Sequence, residues 1–160
     1  MSVSPVVQEF LRRSDVAYAV FPHRRAYTAQ QEAATVSVPE RNWAKVVIGF
    51  ADGEPIQAVV PADCDVDFDR LARLVGVPSV RMATEAELDW LYPDCEPGAM
   101  PPFGPLYHQR VFVDERLAAD EEIVFNGGTY SDAVAMRFND FVGLARPTIG
   151  RFAHPNGSRR

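Results

Sequence analysis

Apolar residues recur along the first part of the chain at the spacings of both helices and strands. Ser4 and Pro5 favour a helix start, because a serine hydroxyl can cap free N–H groups and proline suits the first turn. The β-branched and aromatic run 16–21 predicts a strand. The capping-box spacing from Thr28 to Gln31 predicts a second helix. The apolar face of the first predicted helix consists of Val6, Val7, Phe10 and Leu11.

The next part of the chain carries two apolar, β-prone runs, residues 43–50 and residues 55–60. Asp52-Gly53 lies between them, and an Asp-Gly pair between two such runs is a strong hairpin signal. The sequence therefore predicts two antiparallel strands joined by a tight turn.

Two helix signals follow this hairpin. Asp65 or Asp67 can cap a helix that ends at Gly76. A second capping box, Thr84–Glu87, opens another helix. Between the two, residues 79–82 predict a short strand.

Residues 92–106 interrupt this pattern. They hold five prolines and two glycines in fifteen positions, so they cannot form a regular helix or a central strand. The same stretch contains Met100, Phe103 and Leu106, apolar side chains that a solvated linker has little reason to carry. We therefore predict a stiff loop that packs inside the domain.

The last third of the chain returns to strands. Gly127-Gly128 predicts a tight turn, and Asn139 or Asp140 starts a last short helix that stops at Pro147. The predicted strands cover residues 107–113, 121–125 and 133–138. Helices and strands mix irregularly and hairpins recur, which favours an α+β fold with a mostly antiparallel or mixed sheet. One domain is expected over residues 1–153, followed by a frayed tail at residues 154–160.

Composition agrees with one packed domain. The chain has 160 residues, of which 47% are apolar and 11% aromatic. No apolar run approaches the ~20 residues that span a bilayer, and the first fifteen residues do not resemble a signal peptide. We expect a cytoplasmic protein with no membrane partner.

The potential metal ligands are scattered. Cys64 and Cys95 form no C-x-x-C pair, and His23, His108 and His154 show no metal-binding spacing. We expect reduced thiols, no metal and no cofactor. The net charge of −6 argues against a broad basic surface for long nucleic acid, so DNA is not an expected partner. Contact with one nucleic-acid end through a few local arginines remains compatible with this charge.

Four segments, in this order along nearly the whole chain, resemble the YbaK/prolyl-tRNA synthetase editing-domain family. The first joins Ala26-Tyr-Thr28 to Gln31-Glu-Ala-Ala34, and the second is Ala44-Lys-Val-Val-Ile48. The third is the loop Gly98-Ala-Met-Pro-Pro-Phe-Gly104, and the fourth is Phe125-Asn-Gly-Gly-Thr129. Each segment alone is a weak signal, whereas the ordered set is fairly specific.

The resemblance implies a single α+β domain with a curved mixed sheet that holds the 3′ acceptor end of a charged tRNA. It also implies an activity, hydrolysis of the ester that joins a wrong amino acid to the terminal adenosine. A freestanding member would act in trans, with an aminoacyl-tRNA synthetase as a further candidate partner. Small or near-cognate amino acids such as alanine, serine, threonine or cysteine are the expected substrates.

Lys45 is the most informative side chain, since it interrupts an apolar run. By itself it is more simply explained as a lysine whose ammonium reaches water at a sheet edge. In the context of the other segments, the resemblance implies that it holds the substrate, and an ammonium can bind a phosphate or ribose oxygen as a point charge.

The loop at residues 98–104 is the second candidate element. Ester hydrolysis develops negative charge on the carbonyl oxygen, and backbone N–H groups can stabilise that charge. Prolines carry no N–H, so the candidate donors are Gly98, Ala99, Met100, Phe103 and Gly104. The alternative is a rigid turn that merely closes the domain.

No nucleophilic triad is recognisable in the sequence. The resemblance implies instead that a water attacks, helped by the ribose hydroxyl of the substrate. The residues expected to line the substrate pocket are Tyr27, Thr28, Pro102, Gly127, Gly128 and Thr129. Thr28 as a helix cap and the two glycines as an ordinary hairpin turn are structural alternatives. Two further functional alternatives are a tRNA-end or synthetase-binding module without turnover, and an unrelated small-molecule hydrolase.

Overall fold

A computed structural model describes residues 3–22 and 42–156 of the chain. The predicted helix at Thr28–Gln31 and the candidate residues Tyr27 and Thr28 lie outside these ranges, as does His23. Within them, the helices are α1 (Pro5–Arg13), α2 (Phe68–Val75), α3 (Glu85–Leu91), α4 (Glu115–Ala118) and α5 (Phe138–Ala145), with a 3-10 turn at Gly104–Tyr107. None of the described helices is long and apolar enough to cross a bilayer.

The strands group into three sheets. In chain order they are β1 (Tyr18–Pro22), β2 (Ala44–Ala51), β3 (Glu54–Pro61), β4 (Cys64–Val66), β5 (Val80–Met82), β6 (Arg110–Asp114), β7 (Glu122–Asn126), β8 (Asp132–Arg137), β9 (Thr148–Gly150) and β10 (Ala153–Pro155). The five-stranded sheet has the order β5-β2-β3-β6-β9, the three-stranded sheet has the order β1-β8-β7, and β10 pairs with β4.

Strand directions are mixed and mainly antiparallel. The hairpin β2–β3 is antiparallel, with Lys45 opposite Val60, while β6 runs parallel to both β3 and β9. A parallel bridge between Trp43 and Val124 links the beginning of β2 to β7, and hence the two larger sheets. The α+β class with a mixed, largely antiparallel sheet is confirmed.

The five-stranded sheet has a core on each face. Alternate residues of β2, Ala44, Val46 and Ile48, belong to the core that also contains α1, α5 and the proline-rich loop. On the other face, Ala58 and Val60 of β3 pack with Leu71 of α2. The position of a side chain along β2 therefore decides which core it meets.

Local signals located several elements correctly. Asp67 caps α2 by accepting a hydrogen bond from the Arg70 N–H, and Gly76 ends the helix in the left-handed region at φ 90°. Thr84 and Glu87 form a complete capping box on α3. The Asp52-Gly53 turn joins β2 to β3, as the hairpin signal predicts.

The structure corrects the sequence prediction at three places. Residue 107 belongs to the 3-10 turn, so β6 begins only at Arg110, and α5 begins at Phe138 rather than at Asn139 or Asp140. The chain is also ordered beyond residue 153. His154 lies opposite Asp65 in the β10–β4 pair, so its backbone is held by a strand that no local signal announced. Residues 157–160 of the predicted tail lie outside the described ranges.

Candidate active site

The proline-rich loop and the glycine turn, predicted separately from the sequence, are bonded to each other. The Glu96 N–H donates to the Gly128 carbonyl oxygen at 2.8 Å, and the Gly128 N–H donates to the Ala99 carbonyl oxygen at 2.9 Å. Two long-range backbone bonds of this kind fix the relative position of the segments. Residues 96–99 and 127–130 therefore form one structural unit.

Tyr130 closes this unit from the side of β8. Its backbone N–H donates to the Glu96 carboxylate at 2.6 Å, and its hydroxyl donates to the Pro97 carbonyl oxygen. Gly98 has a φ of 90°, and a Cβ built there would lie 2.3 Å from the Tyr130 hydroxyl oxygen. A side chain at this position would be strained by the backbone conformation and would have to displace the Tyr130 hydroxyl from the Pro97 carbonyl oxygen.

A buried polar network anchors the next part of the loop to the sheet. Gln57 on β3 is fully buried, and its amide nitrogen donates to the Tyr92 hydroxyl and to the Pro101 carbonyl oxygen, each at 3.1 Å. The Tyr92 hydroxyl in turn donates to the Gln109 side-chain oxygen. A buried carbonyl that lost its donor would be costly, so this network holds the loop at Pro101.

An aromatic cluster supports the end of the loop. Phe103 is fully buried, and its ring lies 4.9 Å from Phe10, 5.2 Å from Phe125 and 6.4 Å from Phe141 between centroids. These spacings are typical of stabilising aromatic pairs. Met100 and Pro102 are buried as well. The loop is packed inside the domain, as predicted.

The hydrogen bonds separate the five candidate backbone donors into two groups. The Ala99 N–H already donates to the Glu96 carbonyl oxygen at 2.9 Å, so it is engaged in the loop itself. The Gly98 N–H donates to the Met100 sulfur at 3.1 Å, a weak acceptor. The amides of Met100, Phe103 and Gly104 make no hydrogen bond within the described ranges. Any oxyanion donor of this loop is therefore to be sought at positions 98, 100, 103 and 104.

Close packing against the N-terminal segment explains why residues 127 and 128 are glycines. A Cβ at Gly127 would lie 2.9 Å from Val3, and one at Gly128 would lie 2.6 Å from the Cβ of Ser4. The Ser4 N–H donates to the Gly127 carbonyl oxygen at 2.9 Å. Thr129 lies next to the turn, with its hydroxyl 3.5 Å from that of Ser131. The N-terminal segment thus packs directly on the turn.

The Lys45 side chain lies on the face of β2 opposite Met100 and Phe103. Its cross-strand neighbour Val60 belongs to the core with α2, whereas Met100 and Phe103 belong to the core on the other side. The Lys45 ammonium is 3.3 Å from a carboxylate oxygen of Asp65, in a partly exposed ion pair. Within the described ranges, no hydrogen bond or ion pair joins Lys45 to loop 98–104.

An isolated parallel bridge joins Trp43, two residues before Lys45, to Val124 of β7. Asn126 at the end of β7 is buried and immediately precedes the Gly127-Gly128 turn. The bridge therefore places the start of β2 beside the strand that leads into the turn.

Behind the turn, Asp94 links three polar groups. One of its oxygens accepts from the Ser4 hydroxyl at 2.9 Å and from the Tyr107 hydroxyl at 3.1 Å. The Cys95 sulfur lies 3.4 Å from the same Tyr107 hydroxyl. Burial raises the pKa of the Cys95 thiol to about 12 and also raises the pKa of Tyr107. The Cys95 thiol and the Tyr107 hydroxyl therefore stay neutral near pH 7 and act as hydrogen-bonding supports.

Sequence reasoning missed Gln57, Tyr92, Glu96 and Tyr130, which hold the loop in place. Gln57 carried a signal, since it is a polar residue inside an apolar strand. The hydrogen-bond partners of the other three side chains lie more than ten residues away in sequence, so no local pattern reveals them. In the described ranges, no group of three His, Cys, Asp or Glu side chains gathers where it could hold a metal ion.

Comparison with known proteins adds to this geometry. Residues 23–144 match the aminoacyl-tRNA editing domain family. Over 113 residues, 66% of this chain, it is 30% identical to the multifunctional Ser/Thr-tRNA deacylase ProXp-y of Escherichia coli. Over 109 residues, 68% of this chain, it is 30% identical to a proline–tRNA ligase of Nitratidesulfovibrio vulgaris. The chain spans 64% of the deacylase's length and 19% of the ligase's.

The fold has solved counterparts. A protein described as a candidate trans-editing enzyme for prolyl-tRNA synthetase superposes with a TM-score of 0.82 at 22% identity, covering 96% of this chain and 99% of its own. At this identity the similarity concerns the fold alone. The family match includes β2 and also the proline-rich loop and the glycine turn, which are bonded to each other. The chain belongs to the aminoacyl-tRNA editing domain family.

Proposed function

We propose that this chain is an aminoacyl-tRNA deacylase that hydrolyses the ester between a wrong amino acid and the 3′-terminal adenosine of a tRNA. The single observation that carries the proposal is the bonded unit of loop 96–99 and turn 127–130, within the part of the chain that matches the editing-domain family. A loop held by two backbone bonds and a buried network can present amides with little reorganisation, which is what stabilisation of an oxyanion requires.

In the proposed reaction, a water oxygen attacks the ester carbonyl carbon, and the substrate's 2′-hydroxyl helps to position that water. Negative charge collects on the carbonyl oxygen, where the amides of Gly98, Met100, Phe103 and Gly104 are the candidate donors. The ester bond then breaks, and the ribose oxygen leaves with a proton. The products are a free amino acid and an uncharged tRNA.

Lys45 is the proposed anchor for the substrate. Its ammonium is partly exposed. Within the described ranges, the one carboxylate that forms an ion pair with it is that of the exposed Asp65. Exposed ion pairs contribute little free energy, so a phosphate or ribose oxygen can replace this partner. Pro102 and the turn residues Gly127, Gly128 and Thr129, together with Tyr27 and Thr28, are proposed to line the amino-acid side of the pocket.

The proposed substrates are small or near-cognate amino acids such as alanine, serine, threonine or cysteine. One relative is named a Ser/Thr-tRNA deacylase, which favours this class. Apolar pockets distinguish amino acids by only ~1–3 kcal/mol per methylene. A synthetase that attaches such similar amino acids therefore needs a second, editing site that hydrolyses the wrong product. We propose that the chain acts in trans in the cytoplasm on the acceptor end, with a synthetase as a further partner.

The test is a panel of tRNAs mischarged with these amino acids, assayed for release of the amino acid. The wild-type chain is expected to deacylate at least one of them, and Lys45→Ala is expected to lose that activity while its circular dichroism spectrum and unfolding midpoint stay close to wild type. If the wild-type chain binds mischarged tRNA but releases no amino acid from any of them, it is a binding module and the deacylase proposal fails.

A further inference from the structure

A depression lined by arginines lies beside α2, outside the site described above. Its volume is about 490 Å³, and its lining residues are Arg70, Arg73, Leu74 and Arg151. We propose that this depression binds backbone phosphates of the tRNA whose 3′ end occupies the active site. The inference rests on the proposed function, because it takes the substrate to be a tRNA.

The depression has a fixed base. A Cβ at Gly150 would lie 2.6 Å from a methyl carbon of Leu74, so Leu74 packs directly on the backbone of β9. The Asp67 N–H donates to the Phe152 carbonyl oxygen at 2.7 Å, which joins the start of α2 to the segment after Arg151. The backbone positions that carry the three guanidinium groups are therefore held together.

The charges of the depression are available to a ligand. Arg151 lies 2.8 Å from a Glu115 carboxylate oxygen, but both side chains are largely exposed. Arg70 lies 3.6 Å from Asp67, whose carboxylate also caps α2. The Arg151–Glu115 pair is exposed on both sides and therefore weak, so a phosphate can compete for Arg151, whereas Arg70 stays beside the buried Asp67 carboxylate. Arg73, also exposed, forms no ion pair with any described residue.

The depression lies on the same side of the sheet as Lys45. The carboxylate partner of Lys45, Asp65, precedes Asp67 by two residues in and after β4, about 7 Å at the rise of a strand. Leu71 and Ala72 of α2 pack in the same core as Val60, the cross-strand neighbour of Lys45. A nucleic-acid strand that ends near Lys45 can therefore continue towards α2.

Guanidinium chemistry favours phosphate as the ligand. An arginine presents several N–H donors in a rigid fork that matches two phosphate oxygens at once. Three such groups around one depression suit consecutive phosphates, and they form a local positive group on a chain whose net charge is −6. Such contacts position a nucleic acid without reading its sequence.

The experiment compares the double variant Arg73→Ala/Arg151→Ala with a matched control, Arg12→Ala/Arg13→Ala. The control removes the same charge from exposed arginines of α1, whose buried residues belong to the core on the other face of the sheet. Two quantities are measured over a range of salt concentrations: the dissociation constant of uncharged tRNA, and kcat/KM for mischarged tRNA and for the corresponding aminoacyl-adenosine.

We expect the Arg73→Ala/Arg151→Ala variant to bind uncharged tRNA more weakly, on the order of tenfold at low salt, with a salt slope reduced by about 2. Its kcat/KM should fall for mischarged tRNA and remain unchanged for aminoacyl-adenosine, and the control should resemble wild type in both. Equal tRNA affinity and salt slope in wild type and variant would overturn the proposal. Because uncharged tRNA is not a substrate, this binding result stands even if the chain proves inactive as a deacylase.

Discussion

The Gly128 amide donates a 2.9 Å hydrogen bond to the carbonyl oxygen of Ala99. These residues are 29 positions apart, and the bond joins the turn between β7 and β8 to the proline-rich loop. Together with the bond from Glu96 to Gly128, it makes the position of the loop depend on the conformation of the turn. Changes in the turn should therefore affect the proposed chemistry even where the turn does not touch the substrate.

Gly128→Ala tests this dependence. The residue has a φ of 101°, and its new Cβ would meet Ser4 at 2.6 Å. We expect a loss of about 1–3 kcal/mol in the free energy of unfolding, together with a lower kcat. The control is Gly143→Ala in α5, where an added Cβ meets nothing within 4 Å. That change should stabilise the chain by about 0.5–1 kcal/mol and leave kcat unchanged. Both are measured by urea unfolding and deacylation assays.

Gln57→Leu tests the anchor at Pro101. It removes the two hydrogen bonds from the Gln57 amide and leaves the Pro101 carbonyl oxygen without that donor. We expect a loss of about 1–3 kcal/mol in stability and a fall in kcat with little change in KM, because the loop loses its position but the substrate anchors remain.

The neighbouring substitution Ile56→Val serves as its control. Ile56 lies on the same strand but faces the core with α2. A cost of about 0.5–1.5 kcal/mol with unchanged kcat is expected there. Equal effects of the two substitutions on kcat at matched stability would show that the loop anchor has no special role.

Asp65→Asn tests the role of the Lys45 ammonium by a change that is expected to strengthen substrate binding, whereas Lys45→Ala is expected to weaken it. The substitution keeps the size of the side chain and removes the charge that lies 3.3 Å from Lys45. If Lys45 binds a phosphate or ribose oxygen, removal of the competing carboxylate should lower KM for mischarged tRNA. Stability should change by less than about 1 kcal/mol, since the pair is partly exposed. A KM that rises, as expected for Lys45→Ala, would contradict the assignment.

The pH dependence of stability tests the burial of Cys95. Burial raises the pKa of its thiol from 9.0 to about 12 in the folded chain, whereas the unfolded chain ionises at the ordinary value. The contribution of the neutral thiol to the free energy of unfolding is therefore present in full below pH 9 and is lost as the pH rises from 9 towards 12. Urea unfolding at a series of pH values should show this decline, and Cys95→Ala should make it less steep. A native chain whose thiol reacts with Ellman's reagent at pH 8 as fast as the unfolded chain would contradict the buried position.

Local chemistry explains which parts of the fold the sequence predicts well. The β2–β3 hairpin and the caps of α2 and α3 depend on residues that lie within a few positions of one another. The β4–β10 pair joins residues almost ninety positions apart, and its strands have three residues each, so no local period announces them. The displaced start of β6 has a local cause, because residues 104–109 close a 3-10 turn through backbone bonds three to five residues apart.

In the candidate site too, the sequence predicts the local features but not the long-range contacts. The proline and glycine content predicts a stiff, packed loop. Because prolines have no N–H, the sequence also excludes them as hydrogen-bond donors. The engagement of the Ala99 amide, the fit of Gly98 against Tyr130 and the anchor from Gln57 depend on long-range contacts. Alternation within β2 indicates that the Lys45 stem lies beside apolar residues, but only the pairing of β2 with β3 shows which core that is.

The contact of Val3 and Ser4 with the glycine turn has a practical consequence for anyone preparing this protein. An affinity tag or fusion partner joined ahead of residue 3 would emerge within a few ångströms of the glycine turn, which is bonded to the loop of the proposed site. Deacylation measured with such an extension should be compared with that of a protein tagged at the opposite end.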